Sequence, residues 1–184
     1  MRGDAKLAID TCTGARQTIK FLNMANPRTI GLLQQLTWLG FNINLLTFKI
    51  PSEMGLLAQL TYLSFYSNLL TSIIPSEIGL STKLTSLYFG NNKLTGTIPS
   101  EFGRLQQLTS MGFNSNSLTC TIPSEIELLT LLQKLHLSSN EFKGTIPPSI
   151  CSRPSLDGEI FIDCGEITCE LGCCWHVSDE PGCV

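Results

Sequence analysis

At 184 residues and 20.2 kDa the chain has the length of one domain, and 15 acidic against 12 basic residues leave a formal charge of −3. That balance excludes the concentrated positive field of a nucleic-acid or anionic-lipid binder. Mean hydropathy is high at +0.17, yet Thr, Ser, Asn and Pro break every apolar run well short of the ~20 residues a membrane span needs.

Residues 1–35 are irregular. Their opening, MRGDAKLAIDTC, lacks the apolar core of a secretory leader, so the sequence is expected to lack an upstream leader segment. Arg2, Gly3 and Asp4 form a tripeptide common enough by chance to carry no weight. From Cys12 the chain holds half of a repeating unit. Pro27, Ile30, Gly31 and Leu33 occupy the phases of Pro51, Met54, Gly55 and Leu57, but Cys12, Ala15, Gln17 and Lys20 stand where large apolar residues and an Asn recur later.

Between residues 36 and 155 the period is 24 residues, in five copies opened by Leu36, Leu60, Leu84, Leu108 and Leu132. Counting that Leu as position 1, position 4 is Leu or Met and position 6 is Phe41, Phe65, Phe89, Phe113 or Leu137. Position 9 is always Asn (Asn44, Asn68, Asn92, Asn116, Asn140), position 15 always Ile and position 16 always Pro. Apolar residues at fixed phases of a fixed period predict a solenoid, whose units bury their apolar faces only against their neighbours.

The pattern LxxLxLxxNxLTGxIP resembles the leucine-rich repeat in its plant-type extracellular form, over roughly residues 27–156. The IPSEIG endings and the cysteine-dense tail look like the secreted members found in diatoms and related algae. The resemblance implies an α/β repeat fold: a right-handed solenoid with a parallel β-sheet on the concave face and short helical or 3-10 turns on the convex face. It also implies an N-terminal cap with paired cysteines, for which only Cys12 is at hand. Extracellular members act as receptor ectodomains, ligand-binding modules or inhibitors of wall-degrading enzymes.

Within each copy, positions 2 to 8 are expected to form a strand with 1, 4 and 6 turned inward and 2, 3, 5, 7 and 8 left on the concave surface. Position 6 then makes a spine of stacked Phe rings. The Asn at position 9 is expected to satisfy backbone groups in its own coil and the next, a structural ladder. Thr-Gly-x-Ile-Pro should run extended. Ser52, Ser76, Ser100 and Ser124 are placed to cap the turns that follow, with Glu53, Glu77, Glu101 and Glu125 at their positive ends as solvated residues.

Residues 156–184 are expected to form a cap. Leu156, Ile160 and Ile162 suggest a last strand, out of register by one, and Cys151, Cys164, Cys169, Cys173, Cys174 and Cys183 a disulfide-stapled lid with 15 possible pairings. Cysteine density of this kind favours an oxidising compartment, so an extracellular or cell-surface location is expected. A zinc site at Cys169, Cys173, Cys174 and His176 lacks CxxC pairs, and no metal or other cofactor is expected.

His136 lies at a concave phase without a matching nucleophile or acid pair, so the chain is read as a non-enzyme. The variable concave phases carry Trp38, Tyr62, Tyr66 and Tyr88 toward the N-terminal half and Asn91, Asn114, Lys134 and His136 beyond. Exposed Trp and Tyr are common anchors of recognition, so these residues are the candidate site, for a protein, peptide or glycan ligand. Thr rows at positions 2, 12 and 14 raise an alternative, an ice-binding surface, against the plainer fact that Thr suits extended backbone. No Asn-X-Ser/Thr acceptor marks an exposed face by glycosylation.

Overall fold

The computed structural model describes residues 27–153, 156, 160–163 and 167–168. Along the chain the strands are β1 (Trp38–Gly40), β2 (Tyr62–Ser64), β3 (Thr71–Ser72), β4 (Ser86–Tyr88), β5 (Lys93–Gly96), β6 (Ser110–Gly112), β7 (Ser117–Cys120), β8 (Lys134–His136), β9 (Glu141–Phe142), β10 (Gly144–Thr145), β11 (Ile160–Phe161) and β12 (Ile167–Thr168). A parallel sheet in the order β1-β2-β4-β6-β8-β11 forms the inner wall. Leu39 sits beside Leu63, Leu63 beside Leu87, Leu87 beside Met111 and Met111 beside Leu135. The last step sets Ile160 beside Leu135, one residue longer than the repeat.

Side chains at positions 1, 4 and 6 point inward, as expected, and are buried in every copy. The rings of Phe41 and Phe65 stack at 4.9 Å, while Phe65–Phe89 and Phe89–Phe113 are tilted pairs, each 5.7 Å apart. The spine is therefore stacked only at its first step. Phe102 packs on Phe113 from the convex side, and Phe48 meets the edge of Phe65. Each ring taken out of water contributes on the order of 2 to 3 kcal/mol, and four share one column.

Three departures from the sequence reading have clear physical reasons. The segment after the Asn is more than extended: β3, β5, β7 and β9 pair in parallel as a second sheet on the flank of the rod. The serines do not cap. Short 3-10 turns at Ser52–Leu56, Ser76–Leu80, Ser100–Arg104 and Ser124–Leu128 have the preceding Pro as the cap residue, with no side-chain cap bond. Pro holds the extended φ needed there, and a turn this short already closes through backbone bonds such as Met54 N–H to the Pro51 carbonyl at 3.2 Å.

The Asn ladder reaches its own coil and the preceding one, not the next. The Nδ2 of Asn92 donates to the carbonyls of Phe65 (2.9 Å) and Phe89 (3.0 Å), and its Oδ1 accepts from the Leu70 N–H at 3.0 Å. Asn68, Asn116 and Asn140 repeat the same three bonds one coil apart. Among the described residues, Asn44 donates to the carbonyls of Phe41 and Asn42.

Two phases turn left-handed. Position 8 has φ of 54° to 59° at Ile43, Ser67, Asn91, Ser115 and Ser139, and position 13 is positive at Ser72, Gly96, Cys120 and Gly144. Gly suits position 13, and Ser72 and Cys120 occupy it under strain. Cys120 is exposed, and its thiol is free.

The body ends in helix α1 (Pro148–Cys151), after which Arg153 donates to the carbonyls of Glu127 (3.0 Å) and Leu129, tying the final turn to its predecessor. β12 pairs with β10 beyond it. Cys12, Cys164, Cys169, Cys173, Cys174, Cys183, the side chain of Cys151, and the Arg2 triplet lie outside the described residues. Among the described residues no helix is long and apolar enough to cross a membrane, and no cluster of ligating side chains suits a metal ion.

Candidate ligand-binding face

Parallel register at one rung per copy turns sequence phase into a column on the inner wall, and this brings the aromatic residues together. Trp38 and Tyr62, both at position 3 of paired strands, stack at 5.0 Å with planes 7° apart. Tyr88 continues the row from position 5, tilted 54° to Tyr62 at 5.9 Å. Two glycines make room for it. A Cβ at Gly40 would lie 2.3 Å from Cη2 of Trp38, and one at Gly112 would lie 3.0 Å from Cδ1 of Tyr88, so both rings lean over bare backbone.

Their hydroxyls are anchored. The Tyr88 hydroxyl donates to Ser110 Oγ at 2.6 Å, and the Tyr66 hydroxyl accepts from Asn91 Nδ2 at 2.7 Å. A further bond joins Ser64 Oγ to Asn42 Oδ1. Tyr66 is 38% exposed, and its hydroxyl keeps its own proton to offer a ligand acceptor. The outcome is a fixed aromatic step across three rungs with two hydroxyls pinned at its rim, which suits contact through ring edges and hydrogen bonds.

The other candidates are set apart from this step. Asn114 occupies the wall near Gly90, where an added Cβ would approach its Oδ1 to 2.5 Å. Lys134 is exposed at the start of β8. His136 is half-buried, because the ring of Phe161 in β11 stands edge-on to it at 4.5 Å. Sequence phase alone had left His136 open; Phe161 lies beyond the regular copies, so no repeat position announces it. Several concave phases are also closed: Ser64, Ser110 and Ser138 are buried, although they occupy positions 5, 3 and 7.

A stack of parallel rungs with an inner sheet, a flank sheet, convex 3-10 turns and an Asn ladder defines the leucine-rich-repeat solenoid. Family models described as leucine rich repeat match residues 59–80 and 82–142. The chain is a leucine-rich-repeat protein of the plant type.

Solved structures agree. A TDR receptor is 32% identical over 78% of this chain, with a TM-score of 0.68. The ectodomain of the Arabidopsis thaliana receptor kinase GASSHO1/SCHENGEN3, solved in complex with Casparian strip integrity factor 2, is 28% identical over 78% (TM-score 0.69). The Arabidopsis receptor kinase HAESA, in complex with the peptide hormone IDA and the co-receptor SERK1, is 29% identical over 77% (TM-score 0.67). This chain spans only 24%, 17% and 23% of those three chains. No curated protein matches it in sequence.

Proposed function

We propose that this chain is a non-catalytic recognition module of the extracellular space or cell surface, binding a protein or peptide ligand on its inner wall. The observation that carries this reading is the aromatic step of Trp38, Tyr62 and Tyr88 with the Tyr66–Asn91 pair at its edge. Rigid aromatic side chains lose little entropy on binding and supply large contact areas, which is why they dominate interface energetics. The structurally similar GASSHO1/SCHENGEN3 and HAESA ectodomains were solved with peptide or protein partners, which supports the same class of ligand here. Glycan recognition and inhibition of an extracellular hydrolase use the same wall and are separated from it by the same experiment.

That experiment replaces Tyr62, Tyr66 and Tyr88 together by Ser and compares capture from peptide, protein and glycan arrays with the parent. Loss of at least tenfold in binding to one class of ligand is expected. Unchanged capture by the triple variant would sink the reading.

The ice-binding alternative is weakened at position 2. There the hydroxyls of Thr61, Thr85 and Thr109 each donate to the carbonyl of the Thr one rung before, at 2.8 to 3.0 Å, and are not available to order water. Exposed Thr95, Thr97 and Thr121 remain on the flank. Thermal hysteresis measured at high protein concentration is expected to be nil.

A further inference from the structure

The convex side carries two ordered rows that neither the inner wall nor the core explains. Each 3-10 turn holds Glu at position 18 and a second outward residue at position 21, and in such a turn side chains three apart eclipse one another. Leu56 (54% exposed), Leu80 (50%) and Leu128 (54%) therefore form a row beside Glu53, Glu77 and Glu125. Glycines of the preceding turns fix where the rows lie. A Cβ at Gly31 would lie 2.8 Å from Cδ1 of Leu56 and 3.7 Å from Cβ of Glu53, and one at Gly103 would lie 3.2 Å from Cδ1 of Leu128 and 2.8 Å from Cβ of Glu125. These leucines rest one side on bare backbone and leave the other to water. The fold does not require an apolar residue at this phase, because Arg104 occupies it in the third copy.

Spacing and charge select what fits these rows. Neighbouring rungs lie about 4.8 Å apart in the sheet, close to the roughly 5.4 Å pitch of an α-helix and far from the roughly 6.6 Å between same-face side chains of a strand. A helix laid along the rod meets one turn of the protein with each of its own, drifting by less than half a rung over four turns. The Leu row fits an apolar stripe, and the Glu row beside it fits Lys or Arg along one flank of that helix. Arg104, set into the Leu row after Leu80, fits an acid on the third turn. A second copy of this chain is a poor match: one two-fold setting puts Glu against Glu and the other puts Leu against Glu. The Glu row likewise repels an anionic bilayer.

We propose that the convex ridge from Leu56 to Leu128 docks an amphipathic helix of a protein partner, about 15 residues long, with apolar residues on its first, second and fourth turns, an acid on its third and a basic flank. The ridge lies across the rod from the inner wall, so this partner and a ligand on the wall do not compete.

A synthetic helix tests this, with Leu at i, i+4 and i+11, Glu at i+7 and Lys along one flank, titrated against the full chain by fluorescence anisotropy. Saturable binding with Kd below about 1 mM is expected, the range of small transient contacts. The double variant Leu56→Ser/Leu80→Ser alters only half-exposed side chains, so its far-UV circular dichroism should match the parent while binding weakens at least tenfold. Changing the peptide's Lys flank to Glu should weaken binding to the unaltered protein by a similar factor. Arg104→Leu should reverse the preference at i+7, so that a peptide with Leu there outbinds the one with Glu, a coupling that no unrelated face would show. Absence of binding up to about 1 mM overturns the proposal, as does binding indifferent to these changes or abolished by the Tyr62, Tyr66 and Tyr88 triple variant of the inner wall. So does a parent dimer, seen in sedimentation equilibrium, that Leu80→Ser dissociates, since it assigns the row to a second copy.

Discussion

The Asn at position 9 illustrates how one side chain governs a backbone. Within Asn116 the amide donates to the carbonyls of Phe89 and Phe113, both at 3.0 Å, and accepts the Leu94 N–H at 3.0 Å. Alanine there strands three backbone groups between coils, and each buried unpaired group costs about 1 to 3 kcal/mol. Asn116→Ala is expected to lower stability in urea unfolding by about 3 kcal/mol. At position 13 the sign reverses. Cys120 holds φ 67° where Gly96 and Gly144 sit at ease, so Cys120→Gly should raise the urea midpoint, by about 1 kcal/mol in stability. The Asn column was legible in the sequence because the same residue recurs at the same phase. The left-handed turn at position 8 was not, since Ile43, Ser67 and Asn91 share a conformation without sharing a chemistry.

At the scale of elements, the convex turns are packed closely enough that glycine sets their spacing. A Cβ added at Gly55 would lie 2.1 Å from the carbonyl oxygen of Glu77, and one at Gly79 2.5 Å from that of Glu101. Backbone cannot yield as a flexible side chain can. Gly79→Ala is expected to destabilise by about 2 kcal/mol in thermal or urea unfolding, although Ala is the better residue for an isolated helical turn. In the fourth full copy the same phase is Glu127, and the turn that follows is α1 instead of another 3-10 turn. The inner sheet was readable from its apolar alternation, and so were the inward positions 1, 4 and 6. The flank sheet left no such trace: it is held by backbone pairing, and its outward residues range from Thr71 to Lys93 to Glu141. For the ligand face, phase placed Trp38 beside Tyr62 and left Tyr88 on the same wall two positions on, but Tyr88's joining of the row, the stacking angles and the closure over His136 depend on ring packing and on Phe161 from outside the period.

Across the whole molecule, each rung touches only its neighbours, so stability is close to a sum of rung and interface contributions. Opening should therefore proceed from the ends. In native-state hydrogen exchange, the amides of Phe89 and Phe113, bonded to the carbonyls of Gly112 and His136, are expected to be the slowest; that of Phe41 should exchange faster. Equal protection along the rod would show that it unfolds as one unit.

The ladder's bonds join residues 22 and 27 apart, and both spans are anchored to the same 24-residue step. An insertion of one residue between Asn92 and Asn116 must break bonds on both sides of it, whereas adding or removing a whole cassette, such as residues 84–107, reconnects every donor to an equivalent acceptor. Length is consequently a freely adjustable variable for this architecture, and growth or shortening by whole units is the only kind of indel its interior can absorb without loss.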